Sequence, residues 1–175
     1  MKQSRFWLAT FLIVGCALLR LAPHPWNFTP TGAIALFAGA TYQRRIYAVA
    51  LPFIAMLLSD AVIGFHSGMP VVYAAFGLTV AIGYRIRERR ESVPVVAAAA
   101  VGSATLFFIT TNFWVWAAGH ATYAKSFGGL VDCYVAAVPF YANDVAGDLF
   151  YSAVLFGVFV WAERRFPVFA QRSAT

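Results

Sequence analysis

Apolar residues form six long stretches in this chain, and each stretch is ended by proline, glycine or charged residues. The stretches cover residues 6–22, 31–42, 46–64, 70–84, 93–118 and 139–162. Apolar runs of this length, without strand-like alternation, predict helices that are surrounded by apolar material on all sides. Pro52 lies inside the third run, where it removes one backbone hydrogen bond and is expected to kink the helix. The pattern predicts a bundle of six helices.

Composition identifies the surroundings of these helices. The chain has 175 residues, of which 61% are hydrophobic and 11% charged, and its mean hydropathy is +0.71. A soluble domain needs far more polar surface. Because a bilayer core of about 30 Å takes roughly 20 apolar residues per helix, the expected fold is all-α and integral to the membrane, with six transmembrane helices in one domain over residues 1–175.

Two of the six predicted spans, at 31–42 and 70–84, are short for a full crossing. We expect them to begin within the preceding loops or to be shielded by neighbouring helices. The first run has an alternative interpretation, since Lys2 and Arg5 followed by FWLATFLIVGCALL are also typical of a secretory signal peptide. Arg20 would then stand in the cleavage region, which argues against that interpretation.

The basic residues divide unequally between the two sides of such a bundle. Eleven of the thirteen lie on the side that carries both termini, and only Arg20 and Lys125 lie on the other. The positive-inside rule therefore predicts cytoplasmic termini in a multi-pass protein of the inner cell membrane. The net charge of +6 and the run RIRERRE are explained by a solvated loop beside anionic lipid, so they indicate no nucleic-acid partner.

Most other polar residues collect on the predicted outer side, where His24, His66 and His120 all fall. Asp60 lies about four residues, or roughly 6 Å, from the outer end of the third helix. Counted from Pro139, Asp148 lies nine residues into the sixth helix, roughly 13 Å deep. A carboxylate at that depth costs about 2.5–3.5 kcal/mol unless it faces a partner or a wet cavity.

Helical spacing places several of these groups on common faces. Asp144 and Asp148 are four residues apart, as are Asn112 and Trp116 in the preceding helix, so each pair shares one face. We expect these faces to turn inward and form an outward-open cavity that binds a small-molecule substrate. The predicted binding residues are His24, Asn27, Asp60, His66, Asn112, Trp116, Asp144 and Asp148.

Structural interpretations of the same residues remain open at this point. Arg20 could form a purely structural ion pair with Asp60 or with Asp148. Aromatic residues near helix ends are often an interfacial belt, and each histidine taken singly suits a loop. The spacings Ala35 to Gly39 and Ala98 to Gly102 indicate close helix packing, within the protein or against a partner.

Motifs for enzymatic chemistry are missing from the sequence, which contains no HExxH, GxSxG, Walker A or CxxC pattern. The two cysteines, Cys16 and Cys133, have no metal-site spacing. We therefore expect a protein that is not an enzyme and has neither a cofactor nor a metal. A protein of this kind that moves a solute uphill would draw its energy from another component.

Four strings carry a family resemblance over roughly residues 15–160. They are PHPWNFTPTGAIALFAGA, LLSDAVIGFH, TTNFWVW and GLVDCYVAAVPFYANDVAGDLFYSAVLFG. Together they resemble a family of small bacterial membrane proteins of unknown function, catalogued as putative transport proteins. That family is similar in size and six-helix plan to the substrate-binding S components of energy-coupling factor transporters.

The S-component resemblance implies a transport protein that captures a vitamin or related micronutrient from the outer side. It also implies a partner, an energy-coupling module with a transmembrane subunit and two ATPases. The alternative function is a non-transporting membrane assembly or scaffold protein, in which the acidic residues would pair with Arg20 and leave no cavity.

Overall fold

The computed structural model describes residues 3–118 and 122–169. These residues form six α-helices and one 3₁₀ turn (Arg87–Arg89), without any strand. The helices are α1 (Gln3–Leu19), α2 (Thr31–Thr41), α3 (Arg45–Ile63), α4 (Met69–Arg85), α5 (Val93–Ala117) and α6 (Phe127–Arg165). The predicted all-helical fold is confirmed for this part of the chain.

Three of the helices, α3, α5 and α6, are long and apolar enough to cross a membrane. The other three are apolar but shorter, with 17 residues in α1, 11 in α2 and 17 in α4. This set of helices is consistent with a membrane protein. The first helix is an integral part of the bundle, because Ala9 and Ile13 are buried against the other helices.

The sixth helix starts twelve residues earlier than the sequence pattern predicts, at Phe127 instead of residue 139. The side chain of Ser126 caps it by accepting a hydrogen bond from the backbone N–H of Gly129, at 3.2 Å. Pro139 lies inside the helix. The prediction was wrong because proline favours the first turn of a helix and so was taken as the start. Cys133 consequently belongs to α6 and not to a connection.

The second helix lies at the centre of the bundle, and all eleven of its residues are buried. It packs against each of the five other helices, most extensively against α4. Two glycines allow the close approach of α2 and α4. A Cβ on Gly39 would lie 2.1 Å from the carbonyl oxygen of Val80, and one on Gly83 would lie 2.1 Å from that of Leu36.

Close helix packing was predicted at two pairs of small residues, and the structure shows it at only one of them within the described residues. Close packing at Ala35 and Gly39 is confirmed within the protein, since both are buried and Gly39 contacts α4. Ala98 and Gly102 are exposed, and a Cβ on Gly102 would meet nothing within 4 Å. The second spacing therefore marks no helix contact within this part of the chain.

One end of the bundle, which we call the basic end, contains the start of α1, the end of α6 and two connections. The guanidinium groups of Arg5 and Arg90 both form ion pairs with Glu163, and that of Arg90 lies 3.2 Å from the carboxylate. Arg87 donates a hydrogen bond to the carbonyl of Gly39 at 3.2 Å. The start of α1, the end of α2, the 3₁₀ turn and the end of α6 are thus together. The arginines described at this end are Arg5, Arg44, Arg45, Arg85, Arg87, Arg89, Arg90, Arg164 and Arg165.

Candidate functional site

At the opposite end, the connection 20–30 folds against α6. The side-chain amide of Asn143 donates a hydrogen bond to the carbonyl of Trp26 at 2.9 Å. Gly147 lets the connection approach, because a Cβ there would lie 3.1 Å from the backbone nitrogen of Thr29. Asn27 takes up a φ of 62°, a left-handed conformation that asparagine tolerates better than most residues. These contacts fix the position of Asn27 above α5 and α6.

A cavity of about 210 Å³ lies between this connection, α5 and α6. Its lining residues are Asn27, Phe107, Phe108, Thr111, Asn112, Ala137, Phe140, Tyr141 and Asp144. Three of them, Asn27, Asn112 and Asp144, are residues that the sequence predicts for a binding site. Asn27 and Phe140 are exposed, so the cavity reaches the surface between them.

The polar side chains of the cavity differ in how many of their atoms already form hydrogen bonds within the protein. Asn112 donates its side-chain N–H to the carbonyl of Phe108 at 2.8 Å, which leaves its amide oxygen as an acceptor. Thr111 donates to the carbonyl of Phe107 at 2.7 Å, and the hydroxyls of Tyr141 and Thr105 lie 2.8 Å apart.

The carboxylate of Asp144 forms no hydrogen bond or ion pair with any residue in the described part of the chain. It is the one acidic side chain among the residues that line the cavity. Aromatic walls and a free carboxylate suit a small solute that brings a positive charge or hydrogen-bond donors.

Asp60 is held by other residues. The guanidinium of Arg20 forms an ion pair with it at 2.7 Å, and the hydroxyl of Tyr73 donates to its second oxygen at 2.8 Å. Arg20 also donates to the hydroxyl of Ser59 at 2.5 Å. Of the two ion pairs considered for Arg20, the structure contains the one with Asp60. Asp60 does not line the cavity.

Asp148 lies one helical turn below Asp144, against the start of α2. A Cβ on Gly32 would lie 2.4 Å from both carboxylate oxygens, and one of these oxygens, Oδ1, is buried without a hydrogen-bond partner within the described residues. A carboxylate is favourable there because a helix carries partial positive charge at its N-terminus. The preceding residue, Pro30, offers no side-chain cap of its own. Asp148 therefore packs against the start of α2 and, like Asp144, forms no ion pair within the described residues.

The remaining predicted residues lie outside the cavity. The ring of His24 is exposed and within 3.0 Å of the carbonyl of Pro25, and exposed His66 accepts from the backbone N–H of Gly68 at 3.2 Å. Trp116 donates its indole N–H to the carbonyl of Ala124 at 3.0 Å, with Lys125 over its ring. His120 lies outside the described residues. Within residues 3–118 and 122–169, no three metal-binding side chains are grouped.

The model of a family of unknown function, DUF6580, matches residues 1–169. The chain belongs to this family. Its membership of a family of unknown function is thereby confirmed, whereas the match carries no link to transport or to S components. No curated protein and no solved structure matches the chain.

Sequence reasoning missed several residues of the cavity in this DUF6580 chain. Phe108 precedes Asn112 by four residues, and Phe140 and Tyr141 precede Asp144 by four and three. Side chains at these spacings share one helix face, so extending the two predicted faces by one turn would have found them. Gly32 was missed because nothing in its local sequence indicates a carboxylate from a distant helix.

Proposed function

We propose that this protein captures a small polar solute on the side of the membrane opposite its basic end and takes part in the uptake of that solute across the inner membrane. The observation that carries the proposal is the unpaired carboxylate of Asp144 in an aromatic cavity. A carboxylate within a bundle of apolar helices is costly unless it is paired or hydrated. Binding of a solute would explain why the carboxylate of Asp144 has no partner within the described residues.

The depth of the cavity supports access from outside. Asp144 precedes Glu163 of the basic end by 19 residues, which corresponds to about 28 Å along α6. This distance is close to the roughly 30 Å thickness of the hydrocarbon core. With the arginine-rich end in the cytoplasm, as the positive-inside rule requires, Asp144 comes to the level of the outer surface.

The chemistry of the lining favours one class of solute. A lone carboxylate attracts a cation, and aromatic rings such as those of Phe108 and Phe140 in the lining can stabilise a cation that lies over them. The volume of about 210 Å³ is smaller than the roughly 300–1,000 Å³ of common ligand pockets. We propose a vitamin or related micronutrient that places a small cationic or hydrogen-bond-donating group beside Asp144.

The source of energy lies outside this chain in our proposal. The sequence has no Walker A motif with which to hold a nucleoside triphosphate. Uphill uptake then requires a separate module with ATPases, as in transporters that use S components.

Replacement of Asp144 by asparagine tests the proposal. Asp144→Asn keeps the shape of the side chain but removes its charge, and a hydrogen bond to a charged group contributes about 1.5–3 kcal/mol. We expect the affinity for a cationic solute to fall at least about tenfold. Thermal stabilisation of the purified protein by a panel of cationic, neutral and anionic micronutrients measures binding, and uptake by a strain lacking this gene measures transport.

Asp132→Asn is the matched control, because Asp132 is an exposed acid on α6 outside the cavity. It should leave binding and uptake unchanged. Equal losses in Asp132→Asn and Asp144→Asn, or stabilisation by anionic solutes alone, would exclude the proposed site.

A second candidate function is that of a non-transporting assembly protein, which the Arg20–Asp60 ion pair favours. This pair joins the connection directly after α1 to α3 and requires no ligand. Normal uptake of every solute in the deletion strain, together with loss of another membrane complex, would support this function over transport.

A further inference from the structure

A second and larger cavity lies outside the candidate site, as a groove between α5 and α6 toward the basic end. Its volume is about 560 Å³. The walls come from residues such as Val96, Phe156 and Val160, and they are apolar apart from the hydroxyl of Ser152. Its charged residues, Arg90, Glu91, Arg164 and Arg165, are all at the basic end.

The groove is long enough to hold an extended chain. It follows α6 from Leu149 to Arg165, which is 16 residues or about 24 Å. It is therefore longer than one leaflet of about 15 Å, and its apolar walls suit an acyl chain.

The charges at the mouth indicate the headgroup of the occupant. Arg164 and Glu91 form an ion pair at 2.7 Å that is largely exposed, so it contributes little stability. Arg165 is exposed, and it has no ion pair within the part of the chain that the structure describes. Because Arg90 pairs with Glu163 and Arg164 with Glu91, Arg165 supplies the uncompensated positive charge at the mouth.

Trp161 lies beside this mouth, 59% exposed, and its ring packs edge-on to that of Phe166 at 5.6 Å. Tryptophan is enriched where helices leave a bilayer. The mouth thus combines basic and aromatic groups in the way expected at the level of lipid headgroups.

We propose that the groove between α5 and α6 binds one anionic phospholipid, with an acyl chain along the apolar walls and the phosphate beside Arg164 and Arg165. The proposal is independent of the solute site, from which the groove differs in all its lining residues.

Fluorescence quenching of Trp161 by brominated lipids tests the proposal. The full chain, with Trp7, Trp26, Trp114 and Trp116 replaced by phenylalanine, is placed in vesicles that contain equal mole fractions of brominated phosphatidylglycerol or brominated phosphatidylcholine. We expect phosphatidylglycerol to bind near Trp161 several times more tightly. The double change Arg164→Gln and Arg165→Gln should remove this preference, since each basic residue near an anionic lipid contributes about fivefold.

Arg89→Gln is the control for general surface charge, because Arg89 is exposed at the same end and does not line the groove. It should leave the preference intact. Equal quenching by the two lipids, a preference that survives the double change, or an equal loss in Arg89→Gln would overturn the proposal.

Lipid retention by the protein with its native tryptophans provides a second measurement. A Cβ on Gly157, a lining residue, would meet nothing within 4 Å, so Gly157→Leu fills the groove without a clash. We expect this variant to lose bound phosphatidylglycerol, counted by native mass spectrometry after purification from mixed lipids. Gly102→Leu, equally free of neighbours but outside the groove, should retain it. Equal retention by both variants would contradict the assignment.

Discussion

At the scale of single residues, Asp60 and Asp148 look alike in the sequence, but within the described residues only Asp60 forms an ion pair, with Arg20. The side chains of Arg20 and Asp60 are 20% and 6% exposed, and the pair is supported by Ser59 and Tyr73. Asp148 is just as deeply buried but contacts the start of α2 instead. The Arg20–Asp60 pair is therefore satisfied within the protein, whereas Asp144 has no ion-pair partner within the described residues.

A double-mutant cycle tests this assignment. Arg20→Gln or Asp60→Asn alone should lower the free energy of unfolding by about 3–5 kcal/mol, because each leaves a buried charge without its partner. Together they should cost less than the sum, with a coupling of about 0.5–3 kcal/mol. Thermal unfolding in detergent measures both. Arg20→Gln combined with Asp148→Asn should be additive; coupling to Asp148 in place of Asp60 would refute the assignment.

At the scale of helices, the contact between α2 and α4 depends on two glycines that face backbone carbonyls. A backbone oxygen cannot move aside as a flexible side chain can, so an added methyl group must push the helices apart.

Alanine substitutions test whether the contact between α2 and α4 requires these two glycines. Gly39→Ala and Gly83→Ala should each destabilise the protein by about 3 kcal/mol or more, since overpacking a tight core typically costs 1–3 kcal/mol and backbone clashes cost more. Gly77→Ala on α4 is the control, because its Cβ would find its nearest neighbour at 3.7 Å. It should be neutral or stabilising by up to about 1 kcal/mol. Melting temperatures that fall equally in all three variants would show that the loss does not depend on contacts between the glycines and backbone carbonyls.

The sequence predicts those helical features that depend on local periodicity. The apolar runs indicate α3 and α5 closely. Counting helical turns paired Asn112 with Trp116 and Asp144 with Asp148, and only the first residue of each pair lines the cavity. The start of α6 was missed because Ser126 and Pro139 are both acceptable helix beginnings, and packing against α5 decides between them. The role of Asp148 was missed because it depends on Gly32, which is 116 residues away.

At the scale of the whole molecule, charge is distributed unequally between the two ends. The described arginines other than Arg20 lie at the basic end with Glu88, Glu91 and Glu163, while Asp60, Asp144 and Asp148 lie toward the other end. This distribution predicts that the basic end faces the cytoplasm.

Cysteine labelling in intact cells tests this orientation. Cys16 and Cys133 are buried, and both would first be replaced by alanine. A cysteine at Lys125 should then react with a membrane-impermeant thiol reagent, whereas one at Glu88 should react only after the cells are opened. The reverse pattern would place the solute cavity on the cytoplasmic side and contradict uptake from outside.

The complete enclosure of α2 has a consequence for how the chain is made. With eleven residues, α2 is about 16 Å long, roughly half of a bilayer core. The helices that cover it, α4 and α6, follow it in the sequence, and its first turn meets Asp148 of α6. We therefore expect α2 to reach its buried position only after α6 has been synthesised.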